Sequence, residues 1–252
     1  MGLLAAAVAV DAGAESILCS VTDVPTAVAD ADALFFERWM LSVETGDAGP
    51  WRQVPARCGA FVRAYMEGER YASDCAAVAA ESLAFASQAL ASGDGGATAK
   101  PAWVFDVDET LLSNAPWYAA NGWGLEELDD ATFDAWADVA KAPALLSSLK
   151  LYNELQGLGF HIILLTGRTE SQRNATEENL LFAGYQSWEK LTMRQPSDMG
   201  KTAVQYKSEK RAVLEAEGFK LLGNSGDQWS DLIGLPVSTR SFKLPNPIYY
   251  VT

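Results

Sequence analysis

At 252 residues the chain can bury one good hydrophobic core, and its length does not demand two domains. With 49% hydrophobic and 21% charged residues it reads as globular and not as disordered. A net charge of −14, from 33 acidic and 19 basic residues, argues against nucleic acid or an anionic membrane as a partner.

The chain opens on an apolar run, Leu3 to Val10, followed by the small residues Ala12-Gly13-Ala14. This resembles a secretory signal cleaved after Ala14, making residues 1–14 a signal remnant and the protein secreted or vacuolar. No Lys or Arg precedes the run, so an Ala-rich disordered start is the other reading, and the run is too short to span a bilayer. Three cysteines, Cys19, Cys58 and Cys75, give one disulfide and one free thiol in a secreted chain. No Cys-x-x-Cys or His/Cys cluster suggests zinc.

Residues 15–98 read as helical. Ala31 to Glu44 carries Leu34, Phe35, Trp39, Met40 and Val43 at amphipathic spacing, and Ala56 to Ala91 holds two further helical stretches. These helices either cover one face of a sheet or form a separate unit, the first being favoured. Ser92-Gly93-Asp94-Gly95-Gly96 is a break before the first strand. From residue 99 on, strand and helix alternate: a strand through Trp103-Val104-Phe105, a helix over Ala144 to Leu158, and a strand from Phe160 to Leu165. A helix over 170–183, a strand around Leu191 to Met193, a helix over 208–217 and a strand at Phe219 follow. That alternation predicts a parallel α/β sheet with crossover helices. Between Asn114 and Pro143 lies an aromatic insertion, with Asp129 or Asp130 capping a short helix. Phe133 and Trp136 read as core anchors there, whereas Trp117, Tyr118 and Trp123 are evenly divided between packing and stacking on an aryl or nucleoside leaving group. His161, the only histidine, is expected as a packed core residue in its strand. Asn174-Ala175-Thr176 is a glycosylation sequon inside a predicted helix.

The chemistry gathers where strands end. Asp106 and Asp108 follow the first strand, and ligands of parallel sheets bind outside the carboxyl ends of strands. A calcium loop starting at Asp106 would need Gly and Glu where the chain has Leu111 and Trp117, and no P-loop is present. Thr166-Gly167-Arg168 ends the second strand pattern, Lys207 stands before a helix that Ser208 would cap, and Asp227 and Asp231 follow the strand at Phe219. Carboxylates, a lysine and a hydroxyl are the set that phosphoryl transfer uses.

These motifs resemble the haloacid dehalogenase (HAD) superfamily of phosphatases. More narrowly, they are similar to its subfamily IIIB, the plant acid phosphatase and vegetative storage protein family. The resemblance is carried by Phe105-Asp106-Val107-Asp108-Glu109-Thr110-Leu111-Leu112-Ser113-Asn114, Leu165-Thr166-Gly167-Arg168 and Tyr206-Lys207-Ser208. It is carried further by Gly223-Asn224-Ser225-Gly226-Asp227-Gln228-Trp229-Ser230-Asp231 and Arg240-Ser241-Phe242-Lys243-Leu244-Pro245-Asn246-Pro247, and covers about Trp51 to the C-terminus. It implies a Rossmannoid parallel sheet flanked by helices, with the N-terminal helices layered on a core at 99–252. It implies Asp106 as nucleophile and Asp108 as acid/base, the latter's pKa raised by a like charge. Mg²⁺ would be held by Asp106, the Asp108 backbone carbonyl and Asp227. Thr166, Gly167 and Lys207 would bind the phosphoryl group, with Asp231 and Arg168 supporting the site. The implied activity is acid phosphatase action on small phosphomonoesters, a storage protein with little activity being the alternative and a phosphotransferase a third reading. The resemblance also favours a Cys19–Cys58 pair and leaves a homodimer open.

Overall fold

A computed structural model describes residues 28–93 and 100–251. The signal-like start, Cys19 and Asp94-Gly95-Gly96 lie outside the described residues. Cys58 and Cys75 are both buried and are not joined to one another.

Three helices come first. α1 (Val28–Glu44) turns Phe35, Phe36, Trp39 and Met40 toward a cluster containing Val62, Tyr65 and Tyr71. α2 (Gly59–Glu67) and α3 (Glu69–Ala91) are parted by Gly68, which is extended. A Cβ there would sit 2.6 Å from the Ala64 carbonyl oxygen, so the break needs a residue without one. Then follow β1 (Lys100–Phe105), α4 (Ala115–Ala120), α5 (Asp130–Asp138), α6 (Leu146–Gly157), β2 (His161–Thr169) and α7 (Arg173–Phe182). The chain continues through β3 (Lys190–Arg194), α8 (Ala203–Ala216), β4 (Phe219–Gly226), α9 (Trp229–Leu232) and β5 (Arg240–Lys243).

The five strands form one parallel sheet in the order β3-β2-β1-β4-β5. The chain winds outward from β1 to β3, then returns to lay β4 beside β1. The order therefore reverses between β1 and β4, and the crevice outside their carboxyl ends is where such a sheet binds ligands. Alternation along β1 builds two cores. Trp103 and Phe105 face Ala86 and Ala89 of α3 and Leu151 and Leu155 of α6, while Ala102 and Val104 face Tyr206 and Leu214 of α8. The α3 helix thus covers one face of the sheet, sharing its core. The C-terminus of α1 is tied to the strand ends as well: Glu44 accepts from Lys243 Nζ (3.0 Å) and the Asn246 backbone N–H (3.0 Å), and its carbonyl accepts from Trp229 Nε1 (3.1 Å).

Several expectations shift. β2 runs on through Thr166, Gly167 and Arg168 across an irregularity to Thr169, which pairs with Arg194 of β3, and β4 runs through Asn224 to Gly226, paired with β1 as far as Ser225 and with β5 through Gly226. α8 starts at Ala203, five residues before Ser208. Thr202 is its cap, accepting the Gln205 N–H (3.2 Å), and Ser208 instead bonds back to the Val204 carbonyl. His161 is not a packed core residue: it opens β2, is half-buried, and lies 3.3 Å from Glu189. β5, α4 and α9 were not expected, all being short. Asn174 is exposed on α7, but Thr176 is buried and accepts a bond from Arg168 (3.2 Å).

Trp103 sets the β1–β4 contact. Its ring stacks on Phe242 (5.3 Å, 18°), its indole N–H donates to Ser225 Oγ (2.9 Å), and the register slips between Ala102 and Trp103. The ring lies over Gly223, where a Cβ would come within 2.3 Å of it. Gly223→Ala should therefore lower stability by about 1–3 kcal/mol through overpacking. Urea unfolding checks this, and an unchanged midpoint would refute the close approach.

Candidate active site

Asp106 leaves the end of β1 at the switch point, its backbone N–H donating to the Ser225 carbonyl of β4 (3.0 Å). Lys207 reaches it from α8. Lys207 is 4% exposed, and its ammonium lies 2.5 Å from Asp106 Oδ1 and 2.5 Å from Asp231 Oδ1. It sits on the face that also buries Ala203 and Arg211, one helical turn to either side, so the early start of α8 is what aims it inward. Burial works against its charge, but Asp106 and Asp231 outweigh that and hold Lys207 above the usual lysine range. Burial pushes Asp106 upward; Lys207 opposes it, and Asp231, Asp227 and Asp108 add to it.

Asp227 follows β4. Its Oδ2 accepts from Gln228 Nε2 (2.9 Å) and Asn246 Nδ2 (2.7 Å), and its Oδ1 from Thr110 Oγ1 (3.3 Å). Burial, then Asp231, pushes Asp227 up to about 6. Asp231 is fixed on every side. Its Oδ2 accepts the Gln228 backbone N–H (2.9 Å), and its carbonyl accepts from Asn224 Nδ2 (2.9 Å) and Arg211 Nη1 (2.7 Å). Arg211, wholly buried, also donates to the carbonyls of Pro236 (2.8 Å), Ile233 and Gly234 (2.9 Å), pinning the turn behind α9.

Asp108 is half-buried and faces Arg168. The guanidinium donates from Nε to Oδ2 (3.0 Å) and from Nη2 to Oδ1 (2.7 Å). Burial alone would raise Asp108, but the Arg168 charge, with hydrogen bonds from Arg168 and Asn114, leaves it below the usual carboxylate range. The expected upward push from a like charge is thus outweighed, and Arg168 is a direct partner of Asp108. Thr166 is buried, its Oγ1 accepting the Arg168 backbone N–H (3.1 Å) and its carbonyl accepting from Tyr206 (3.1 Å). Its hydroxyl proton remains available to a bound oxyanion. Gly167 is exposed beside it, with open space where a Cβ would stand.

Carboxylate oxygens of Asp106, Asp227 and Asp231 all lie within 4.8 Å of one another. With Asp108, these carboxyl groups outnumber their hydrogen-bonded cations, Lys207 and Arg168. An all-oxygen set with excess negative charge suits a hard divalent cation. Asp231 spends both oxygens on short bonds, to Lys207 (2.5 Å) and Gln228 (2.9 Å), whereas Asp227 Oδ1 takes only the long bond from Thr110 (3.3 Å) and Asp106 meets Lys207 through Oδ1 alone, so Asp106 and Asp227 are the better placed donors.

Sequence reasoning missed Glu109, Thr110, Asn114, Gln228, Asn246 and Tyr249 as site residues. Buried Glu109 accepts from Asn114 and from the Tyr249 hydroxyl (2.8 Å), and burial, then Asp108 and Asp227, pushes it up to about 8. The available signal was its place, directly after Asp108 inside the first motif. Of the aromatic insertion, Tyr118 and Trp123 are buried and Trp117 and Phe133 are half-buried; Tyr118 stacks on Tyr249 (5.5 Å, 15°). Trp136 is more than a core anchor, its indole N–H donating to Asn114 Oδ1 (3.0 Å). A cavity of about 210 Å³ lined by Trp117, Tyr118, Tyr249, Glu126 and Asp129 adjoins the site through Tyr249 but contains none of the cluster aspartates.

A family model described as HAD superfamily, subfamily IIIB (acid phosphatase), matches residues 22–252. The chain is 49% identical over 220 residues to acid phosphatase 1 of Solanum lycopersicum, covering 87% of this chain and 85% of that protein. It is 40% identical to the stem 28 kDa glycoprotein of Glycine max (84% and 82% covered) and 36% identical to vegetative storage protein 2 of Arabidopsis thaliana (84% and 79%). Among solved structures, the class C acid phosphatase of Bacillus anthracis with tungstate bound superposes with a TM-score of 0.61 at 23% identity, over 76% of this chain and 85% of that one. That likeness bears on the fold.

Removing Lys207 leaves Asp106 and Asp231 facing each other unpaired. Lys207→Met should cost about 3–5 kcal/mol of stability. Denaturant unfolding in EDTA measures it, and a loss below 1 kcal/mol would contradict the pairing.

Proposed function

This chain belongs to the acid phosphatases of HAD subfamily IIIB, and we propose that it hydrolyses small phosphomonoesters with Mg²⁺ bound, through an aspartyl-phosphate on Asp106. The observation that carries this reading is the buried Asp106 carboxylate at the β1–β4 switch point, bonded to Lys207 and within reach of Asp227.

Asp106, Asp227 and the Asp108 backbone carbonyl would hold Mg²⁺, which when bound neutralises charge on the phosphoryl oxygens. Burial and the neighbouring carboxylates hold Asp106 above the usual carboxylate range despite Lys207; the positive charge of bound Mg²⁺ would add to that of Lys207 and favour the ionised, nucleophilic carboxylate. A carboxylate oxygen of Asp106 attacks phosphorus, the bond to the ester oxygen breaks, and Asp108 gives a proton to that oxygen as it leaves. Arg168 keeps Asp108 ionised before substrate arrives. A phosphomonoester entering as its monoanion at mildly acidic pH carries the proton Asp108 needs, and its charge beside Asp108 offsets the pull of Arg168. Lys207, the Thr166 hydroxyl and the open backbone at Gly167 bind the phosphoryl oxygens. Asp108 then takes a proton from water, which attacks phosphorus, releases phosphate and restores Asp106.

The signal-like start and the glycoprotein named among the relatives support a secretory route. The relatives named vegetative storage proteins favour a second reading, in which accumulation matters more than turnover. Assaying an aryl phosphate from pH 4 to 8, with Mg²⁺ and with EDTA, separates the two. The enzyme reading expects Mg²⁺-dependent turnover that Asp106→Asn abolishes without unfolding the protein; folded wild type with no turnover would favour storage. Asp227→Ala should raise the Mg²⁺ needed for half-maximal rate at least ~10-fold; an unchanged titration would remove Asp227 from the metal.

A further inference from the structure

Asn114 is buried at the start of α4, and every polar atom of its side chain is engaged. Its Oδ1 accepts the Trp136 indole N–H (3.0 Å), and Nδ2 donates to Asp108 Oδ1 (2.8 Å) and Glu109 Oε2 (3.1 Å). An indole N–H can only donate, so the atom facing Trp136 must be the amide oxygen, and this fixes the –NH₂ toward the two carboxyl groups. Glu109 locks the same residue from its backbone, accepting the Asn114 N–H at 2.5 Å. To reach it, Glu109 takes a left-handed conformation (φ 51°), which a β-methylene residue adopts only when its surroundings hold it there.

The consequence lies on Asp108. Its Oδ1 receives two donors, Arg168 Nη2 and Asn114 Nδ2, whereas Oδ2 receives one, Arg168 Nε. A carboxylate oxygen has two in-plane lone pairs, so Oδ1 is filled and Oδ2 keeps one free. Arg168 alone would treat the two oxygens alike; Asn114 breaks the tie. We propose that Asn114, held by Trp136 and Glu109, is a positioning residue that makes Oδ2 the oxygen through which Asp108 passes its proton. This rests on Asp108 being the acid that protonates the leaving group.

The test uses leaving-group dependence. A weakly basic leaving group such as 4-nitrophenolate departs without a proton, whereas an alkoxide from glycerol phosphate does not. Asn114→Ala should lower kcat/KM for glycerol phosphate at least ~10-fold more than for 4-nitrophenyl phosphate, with the loss in kcat and not in KM. Circular dichroism and thermal melting establish that the variant is folded. Trp136→Phe, which keeps an aromatic ring but removes the N–H orienting the amide along with part of the indole, should shift the same ratio in the same direction. Should Asn114→Ala fail to fold, that variant decides alone. Asp108→Asn serves as the control. Equal losses on both esters in Asp108→Asn, or no turnover in wild type, would defeat the acid role of Asp108 and the proposal with it. A leaving-group-dependent loss in Asp108→Asn, with equal losses on both esters in Asn114→Ala or, should that variant not fold, in Trp136→Phe, would defeat the role of Asn114 alone.

Discussion

The site depends on one ammonium group placed between two buried carboxylates. Lys207 reaches Asp106 and Asp231 from the middle of a helix packed under the sheet, and both of its bonds are short and shielded from water. Burying such a triad brings a large desolvation cost, which mutual attraction offsets only when each charge is held in place. That explains how much of the surrounding structure is spent on holding. Arg211 pins the carbonyl of Asp231, and the turn behind α9 closes over that arrangement. Asn246 and Gln228 hold Asp227. The result is that Asp106, the proposed nucleophile, is kept in a buried site, where a fixed charge acts more strongly on it than it would in water.

The helices before the sheet belong to the same economy of constraint. Glu44 at the end of α1 binds the backbone N–H of Asn246, and the side chain of Asn246 binds Asp227. The N-terminal layer therefore reaches the acidic cluster through two hydrogen bonds. On the other flank, the aromatic insertion reaches Asp108 through Trp136 and Asn114. Segments whose sequence reads as packing material thus also orient carboxylates.

The sheet was legible because buried parallel strands are continuous apolar runs, and the aspartates stood out because each followed such a run. Trp103-Val104-Phe105 and Phe160 to Leu165 are plain examples. β5 was not legible: Arg240-Ser241-Phe242-Lys243 buries only Phe242 and owes its strand form to pairing with β4. The start of α8 was misplaced because Thr202, a good cap, stands in a polar stretch, and this hid the inward aim of Lys207. The state of Asp108 was read the wrong way for a related reason. Its distance to Asp106 along the chain is visible, whereas its bidentate contact with Arg168, 60 residues away, exists only in the fold. Glu109 and Asn114 escaped notice because nothing in the sequence tells a buried polar side chain from a solvated one.

The central claim is that Asp106 carries the phosphoryl group. Enzyme mixed with substrate, quenched in acid during turnover and reduced with borohydride would convert an aspartyl-phosphate to homoserine, which peptide mass spectrometry locates. The account predicts homoserine at position 106, dependent on substrate and absent from Asp106→Asn. Turnover at full rate with Asp106 unmodified, or modification of another side chain, would contradict it.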